Sequence, residues 1–301
     1  MSTSVFPPLP PDRLIQEEEA SLARELEWLL SSLQDSLASL KAGLEECVAL
    51  LAPQEPGSTL VLSSPRSDSV KGFVTRVGTR VVRGDMQLKI FGLTPTKGLP
   101  SYKLTLASVD PPSNLMLEQL VNVRNLINQS LDVVDVSTWT GDAKDANFIS
   151  GQLRLLCDNI SEARQALKGP ESRTGWLESP VDERLFDPPI PSTLSFHLSI
   201  SEAALALEIR TLESATAPEG SVSGFGFRER LAVAIGASRR PEHDEANELF
   251  LYKGHEVRVK EKVRVESQDP SLIAVMAKLA ALEHNVALSR KALDVVMGKD
   301  D

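Results

Sequence analysis

A heptad pattern near the start of the chain constrains the fold more than any other feature. Apolar residues recur every seven positions in two series that are offset by four. The first series is Leu26, Leu33, Leu40 and Cys47, and the second is Leu30, Leu37, Leu44 and Leu51. This spacing marks the d and a positions of a heptad repeat and predicts one long amphipathic helix that ends at Pro53. A helix with one apolar stripe must bury that stripe against a partner.

The positions beside the heptad seam bear on what that partner is. A two-stranded coiled coil usually carries charges at its e and g positions. Here the e positions hold Glu27, Gln34 and Lys41, and the g positions hold Leu29, Ser36, Gly43 and Leu50. The apolar stripe is therefore widened, which favours packing into a helical bundle of the same chain. A homodimeric zipper remains the alternative.

Two later stretches have the short, β-branched segments that are typical of strands. Residues 57–109 are punctuated by glycines and predict a meander of about four strands. Residues 190–266 form the second stretch, in which Leu194, Phe196, Leu198 and Ile200 should share one strand face. Further strand and loop segments are predicted there at Phe225–Ile235 and Ser238–Asn247.

Helical periodicity returns after each of these stretches. It predicts two helices within 112–169 and a last helix over 270–298 that Asp269-Pro270-Ser271 opens. We therefore expect an elongated α+β fold with a discontinuous four-helix bundle, in which the N- and C-terminal helices pair, and a discontinuous antiparallel β unit. The predicted bundle domain is 12–53, 112–169 and 270–298, and the predicted β domain is 57–109 and 190–266. Residues 1–11 are expected to be a flexible Pro-rich tail and 170–189 a linker.

Charge and composition exclude several classes of protein. The chain carries 42 acidic and 32 basic residues, a net charge of −10, which disfavours binding to nucleic acid or to anionic membranes. No apolar run comes near the ~20 residues of a membrane span, and the first residues lack the pattern of a secretory signal. The residues before Leu26 are acidic, whereas a basic-zipper transcription factor needs a basic helix there. We expect a cytoplasmic protein.

No sequence motif indicates catalysis. The chain lacks a phosphate-binding loop, a zinc-protease helix, a nucleophile elbow and a Cys-x-x-Cys pair. Its four histidines are scattered, and Cys47 and Cys157 lie within helical patterns, where they are expected to be small buried apolar residues. We therefore expect no enzymatic activity, no cofactor and no metal. The tract Phe6–Pro11 could dock as a polyproline II ligand, but a simple tail is favoured.

One strand has an unusual charge pattern. Arg258, Lys260, Lys262 and Arg264 are spaced by two and should share one face of a strand. Such a face is typical of an edge strand whose charges deter pairing with another sheet. The edge-strand interpretation is favoured, and the alternative is a face that binds an acidic partner, because the first 54 residues are strongly acidic while this strand is basic. The four residues are the candidate partner-binding site.

The order of several short segments resembles the Rogdi leucine-zipper family. The segments are Glu25–Leu30, Ser69–Phe73, Gly84–Ile90, Pro189–Leu194 and Leu198–Ile209. The resemblance runs from about Glu17 to Val296. Fungal members of the family are the second subunit of the RAVE complex, the regulator of the vacuolar and endosomal proton ATPase.

The resemblance implies a non-enzymatic assembly factor. Its partners would be a large β-propeller-containing subunit, a Skp-type adaptor and, through the complex, peripheral-sector subunits of the proton ATPase. The complex would promote reassembly of the peripheral and membrane sectors, and the protein would be recruited peripherally to vacuolar or endosomal membranes. The alternative function is a homodimeric coiled-coil scaffold or trafficking adaptor that is unrelated to the proton ATPase.

Overall fold

The fold is α+β, as predicted. It was obtained as a computed structural model, which describes residues 10–64, 67–96, 98–107, 115–138, 145–169, 174–215, 243–246 and 248–299. Within these ranges the α-helices are α1 Pro11–Leu50, α2 Glu118–Ser137, α3 Ala146–Lys168, α4 Gly175–Glu178 and α5 Pro270–Val296. The strands are β1 Ser58–Ser63, β2 Val70–Val77, β3 Arg80–Leu88, β4 Tyr102–Leu106, β5 Leu115–Met116, β6 Phe186–Asp187, β7 Leu194–Ser201, β8 Ala204–Ser214, β9 Leu249–Tyr252 and β10 His255–Gln268.

The chain divides into two compact units, each built from separate stretches. The helical unit contains the chain up to Leu51, Asn122–Ala166 and the chain from Ala274 onward. The β unit contains Ala52–Val121 and Leu167–Ile273. Four long helices supply the helical unit, and two antiparallel sheets supply the described part of the β unit.

The heptad seam of α1 forms part of an aliphatic core in the helical unit. The helix begins at Pro11, one residue before the predicted start at residue 12, because proline suits the first helical position, where no N–H bond is needed. Its buried residues are Leu30, Leu33, Leu37, Leu40, Leu44 and Cys47. The other helices bury similar stripes, including Leu126 and Val134 of α2, Leu153 and Leu156 of α3, and Leu279 and Leu293 of α5.

Close packing and surface ion pairs connect the long helices. Gly43 of α1 lies against Leu282 of α5, so closely that an added Cβ would be 2.7 Å from a Leu282 methyl carbon. This contact explains a glycine inside a long helix, where it otherwise lowers stability. Ion pairs join Lys41 of α1 to Asp135 of α2, Glu46 of α1 to Lys278 of α5, and Arg164 of α3 to Glu283 of α5.

The first sheet is the predicted meander. Strands β1, β2, β3 and β4 pair with their neighbours in chain order, all antiparallel. The two-residue strand β5 also pairs with β3, and β6 pairs with β4. The apolar residues Met86 and Leu88 are buried, as their alternation with polar residues predicts.

The second sheet has the strand order β7-β8-β10-β9. The register places Phe196, Leu198 and Ile200 opposite Ile209, Leu207 and Leu205. Residues that are directly opposite share a face, so the predicted apolar face of β7 is confirmed. The same register places His197 opposite Glu208, on the other face.

The segment predicted to be a linker contains secondary structure. Residues 174–190 include α4, a 3₁₀ turn at Glu183–Leu185 and strand β6. Trp176 and Phe186 are buried there, and the Phe186 ring lies 4.8 Å from that of Phe196. The prolines of this segment indicate a linker, and its single buried aromatic residues produce no periodic pattern, so the sequence did not predict the helix and the strand. Residues 1–9 of the expected tail 1–11, the strand Phe225–Ile235 and most of the loop Ser238–Asn247 lie outside the described residues, and Pro11 of that tail begins α1.

Candidate interaction surface

The basic strand β10 contains a β-bulge that changes the direction of its side chains. Val259 lies opposite Leu212 of β8, whereas Glu261 lies opposite Thr211, so Lys260 is the inserted residue of the bulge. A bulge residue shifts the alternation of all side chains that follow it. Leu212 shares a face with Arg210, which lies opposite Lys262.

The predicted basic face is therefore divided. Arg258 lies opposite Glu213, on one face of the sheet, while Lys262 and Arg264 lie on the other face, opposite Arg210 and Glu208. The prediction that all four basic residues share one face is wrong, because a strict period of two cannot anticipate an inserted residue.

Most of these basic side chains make ion pairs within the β unit. Lys260 pairs with Glu213 at 2.7 Å. Lys262 pairs with Glu245 at 2.6 Å, and Arg264 pairs with Glu208 at 3.0 Å. Arg258 is exposed and makes no ion pair with any residue that the structure describes. Their role as a partner-binding site thus remains a prediction, and Arg258 is the most available of the four charges.

Lys262 contacts a buried charge cluster that Arg210 and Glu245 form. Arg210 is 1% exposed and forms a two-pronged contact with Glu245, at 2.7 Å from Nε and 2.9 Å from Nη2. Burial alone would raise the pKa of Glu245, but hydrogen bonds from Arg210 and Lys262 outweigh it and lower that pKa. The carboxylate is therefore held ionised, which keeps the buried Arg210 paired.

The guanidinium of Arg210 also stacks on an aromatic cluster. It lies 4.7 Å from the centre of the Trp176 ring, within range of a cation–π interaction. Trp176 packs in turn against Phe250 and Tyr252 of β9, at 5.3 Å from each ring. A second small core thus covers the Arg210 face of the sheet at its β9 end.

Sequence reasoning missed this cluster. Arg210 carried a usable signal, because it is the one cation within the apolar run of β8, Ala204–Leu212. Trp176 and Glu245 carried none, since Trp176 lies in the single-turn helix α4 and Glu245 in a turn, which are too short to show a periodicity.

The bulge also redirects Glu261 to the apolar side of the sheet. There its carboxylate accepts a hydrogen bond of 2.7 Å from the backbone N–H of Phe91. The β unit contains a second buried ion pair, in which Arg76 Nε donates to Asp269 Oδ2 at 2.6 Å. Asp269 also caps α5, because its Oδ1 accepts from the N–H of Ser271.

The remaining titratable groups do not form a recognisable active site. Among the described residues, no group of three or more His, Cys, Asp or Glu side chains could hold a metal ion. Cys47 is fully buried, and burial raises its thiol pKa to about 11, which makes it unreactive. Cys157 is only half-buried, contrary to the expectation that both cysteines are buried, and burial raises its pKa as well.

One helix in the described ranges, α5, is long and apolar enough in composition to cross a membrane. The sequence pattern did not predict it, because no uninterrupted apolar run in the chain comes near the length of a span. Its Leu279 and Leu293 are fully buried in the helical unit, and Lys278 and Glu283 form ion pairs there. A single helix of this kind is weak evidence for a span, since core helices have the same composition.

The fold and surface chemistry define an α+β protein with a helical unit and a β unit, without a recognisable catalytic constellation in its described part. The model of the family "Rogdi leucine zipper containing protein" matches residues 25–294. The chain belongs to this family, which confirms the resemblance drawn from its short segments.

Two relatives are similar along much of their length. "Regulator of V-ATPase in vacuolar membrane protein 2" of Schizosaccharomyces pombe is 24% identical over 294 residues, covering 88% of this chain and 91% of that protein. "Protein rogdi homolog" of Danio rerio is 23% identical over 203 residues, covering 64% of this chain and 69% of that protein.

Proposed function

We propose that this protein regulates assembly of the vacuolar proton ATPase by binding other proteins, without catalysing a reaction itself. The observation that carries the proposal is the similarity along 91% of the fission yeast protein, which is named as a regulator of V-ATPase in the vacuolar membrane.

The finer proposal is a place in a RAVE-type complex. The protein would bind the large β-propeller-containing subunit and a Skp-type adaptor, and would meet peripheral-sector subunits of the ATPase through that complex. It would be cytoplasmic and would reach vacuolar or endosomal membranes through its partners. Membership of the Rogdi family supports this assignment.

Affinity purification of the tagged full chain, followed by mass spectrometry, tests the proposed partners. A propeller-containing subunit and peripheral ATPase subunits should co-purify. In cells that lack the protein, vacuolar pH should rise and the peripheral sector should dissociate from the membrane sector. Unchanged vacuolar pH together with unchanged sector association would contradict the proposal.

We also propose that the positive charges of β10 contribute to partner binding, with Arg258 foremost because it is exposed and unpaired among the described residues. Arg258→Glu should reduce co-purification of the partner and its sensitivity to salt. Arg83→Glu is the matched control, because Arg83 is an exposed arginine on a strand of the other sheet. Equal co-purification by both variants would leave β10 with a structural role only.

The heptad seam of α1 supports a second candidate, a homodimeric coiled-coil scaffold or trafficking adaptor. Sedimentation equilibrium distinguishes this homodimeric candidate from the proposed ATPase regulator. A monomer at micromolar concentration eliminates the homodimeric scaffold and leaves the ATPase proposal standing.

A further inference from the structure

The two halves of α1 differ sharply in packing. From Leu30 onward the seam is buried, with Leu33 3% and Leu44 0% exposed. From Pro11 to Leu29 every residue is exposed except Leu26 and Leu29, which are half-buried. The exposed half is about 28 Å long at 1.5 Å per residue. Every residue from Pro11 to Glu25 is exposed, and only its last turn, around Leu29, borders the end of α5.

The apolar stripe nevertheless continues through the exposed half. One apolar residue recurs every seven positions, at Ile15, Leu22 and Leu29. Four residues after Leu22 comes Leu26, and four residues after Leu29 comes Leu33. This spacing places them on the same side of the helix as the buried seam. Ile15 is 54% and Leu22 49% exposed, which is unusual for residues on a heptad stripe.

The end of α5 extends this apolar surface. The two helices line a groove of about 410 Å³, which is mostly apolar but also contains one acidic and one basic residue: Glu25, Trp28 and Leu29 of α1 and Leu288, Lys291, Ala292, Val295 and Val296 of α5. Trp28 is 68%, Leu288 55% and Val295 52% exposed. Large apolar side chains grouped in a groove are typical of a binding site for a helix.

The charge of the exposed half indicates the kind of occupant. Between Pro11 and Leu29 the helix carries six carboxylates and only two guanidinium groups. Glu18 and Glu25 precede Leu22 and Leu29 by four residues, so they border the stripe. A second copy of this helix would place acidic borders against acidic borders, which is unfavourable. A helix with basic borders is complementary.

We propose that the exposed half of α1, together with the end of α5, binds an amphipathic helix of a partner protein whose apolar stripe is flanked by lysine or arginine. The apolar stripe supplies affinity, and the carboxylates select the basic partner and orient it. This proposal rests on packing and charge and is independent of the proposed role in ATPase assembly.

The probes are two synthetic peptides of three heptads, both with leucine at the a and d positions. The lysine peptide has lysine at the e and g positions, and the glutamate peptide has glutamate there. Fluorescence anisotropy of each labelled peptide is measured against the full chain. The lysine peptide should bind at least about tenfold more tightly than the glutamate peptide, a difference of about 1.4 kcal/mol. Raised salt should weaken its binding. Equal affinities, or no binding of either peptide, would overturn the proposal.

Two double variants locate the site. Leu22→Asp with Leu29→Asp should abolish binding of the lysine peptide, whereas Ala20→Asp with Ser31→Asp should not, because Ala20 and Ser31 are exposed on the opposite side of α1. Both variants add the same charge to the same helix. Equal loss of binding in both would overturn the assignment to the stripe.

A charge-reversal variant keeps the leucines and so does not depend on whether the aspartate variants remain helical. Glu18→Lys with Glu25→Lys should shift the preference toward the glutamate peptide. An unchanged preference would refute the electrostatic part of the proposal. The wild-type protein could also form a dimer that the double variant Leu22→Asp with Leu29→Asp dissociates. That result would show that a second copy occupies the surface, and it would overturn the proposal.

Discussion

The helical unit and the β unit bury different chemistry. In the described part of the helical unit the buried polar residues are Ser130 and Ser137, whose hydroxyls donate to carbonyls of their own helix. Among its described residues the β unit buries four that are charged, Arg76, Arg210, Glu245 and Asp269. The described helices are thus held together mainly by the packing of apolar side chains, and their ion pairs lie at the surface. The sheets are held in part by charges that must be paired, because an unpaired buried charge is costly.

Loss of a buried charge partner should have the largest effect. Asp269→Ala leaves Arg76 buried without its carboxylate and removes the cap of α5, so the free energy of unfolding should fall by about 3–5 kcal/mol. Urea denaturation followed by tryptophan fluorescence measures this, since Trp176 lies in the β unit. A loss below about 1 kcal/mol would show that the pair is not needed to hold the β unit.

In the helical unit the corresponding test removes apolar volume. Leu44 is fully buried, so Leu44→Ala should lower the free energy of unfolding by about 3 kcal/mol, measured by urea denaturation with helical circular dichroism. Leu14→Ala is the control on the same helix, because Leu14 is 47% exposed and should change stability little. Similar losses in both variants would break the contrast between the two halves of α1.

A third test concerns pH. Burial lowers the pKa of His197 below its ordinary value near 6.5, while nearby Glu208 opposes the shift and Arg210 adds to it. Protonation is therefore favoured in the unfolded chain, and stability should be lost as pH falls from about 6.5 through the folded-state pKa. Between pH 7.5 and 5.5, wild type should lose more unfolding free energy than His197→Gln. Equal losses would mean that His197 does not titrate differently on folding.

The smallest effect is expected for a surface pair. Lys41 and Asp135 of the helical unit are 2.6 Å apart, the same distance as Arg76 and Asp269, but both are exposed. Asp135→Ala should leave the urea midpoint unchanged, because water and salt screen an exposed pair. It removes the same side chain as Asp269→Ala, so the comparison sets an exposed carboxylate against a buried one that also caps α5. A large loss here would show that charge pairing stabilises both units alike.

The discontinuous domain boundaries stay a prediction. We propose that the two units are domains within the predicted limits 12–53, 112–169 and 270–298, and 57–109 and 190–266. A single chain break at Gly169, between the predicted domain stretches, should then release neither domain as a folded piece. Recovery of a folded domain from either fragment alone, judged by cooperative unfolding, would contradict this.

Periodic features were predictable from sequence and irregular ones were not. The helices, the meander and the apolar face of β7 repeat every 3.6 or 2 residues, so local pattern identifies them. The bulge at Lys260, the burial of Trp176 and the pairing of Arg210 with Glu245 have no period. For the candidate site, the residues of β10 could be selected as basic, but their division between two faces could not be foreseen.

The sequence by itself determined the α+β class, the family and the lack of a recognised catalytic motif, because these depend on periodicity, segment order and residue types. The tertiary structure alone decided which charges are free, since a basic residue on a strand can face solvent or a buried carboxylate with the same local pattern. It also decided where the heptad stripe of α1 is covered. Leu44, in the seam, is fully buried, whereas Leu22, one heptad before the g-position Leu29 of the same helix, is 49% exposed.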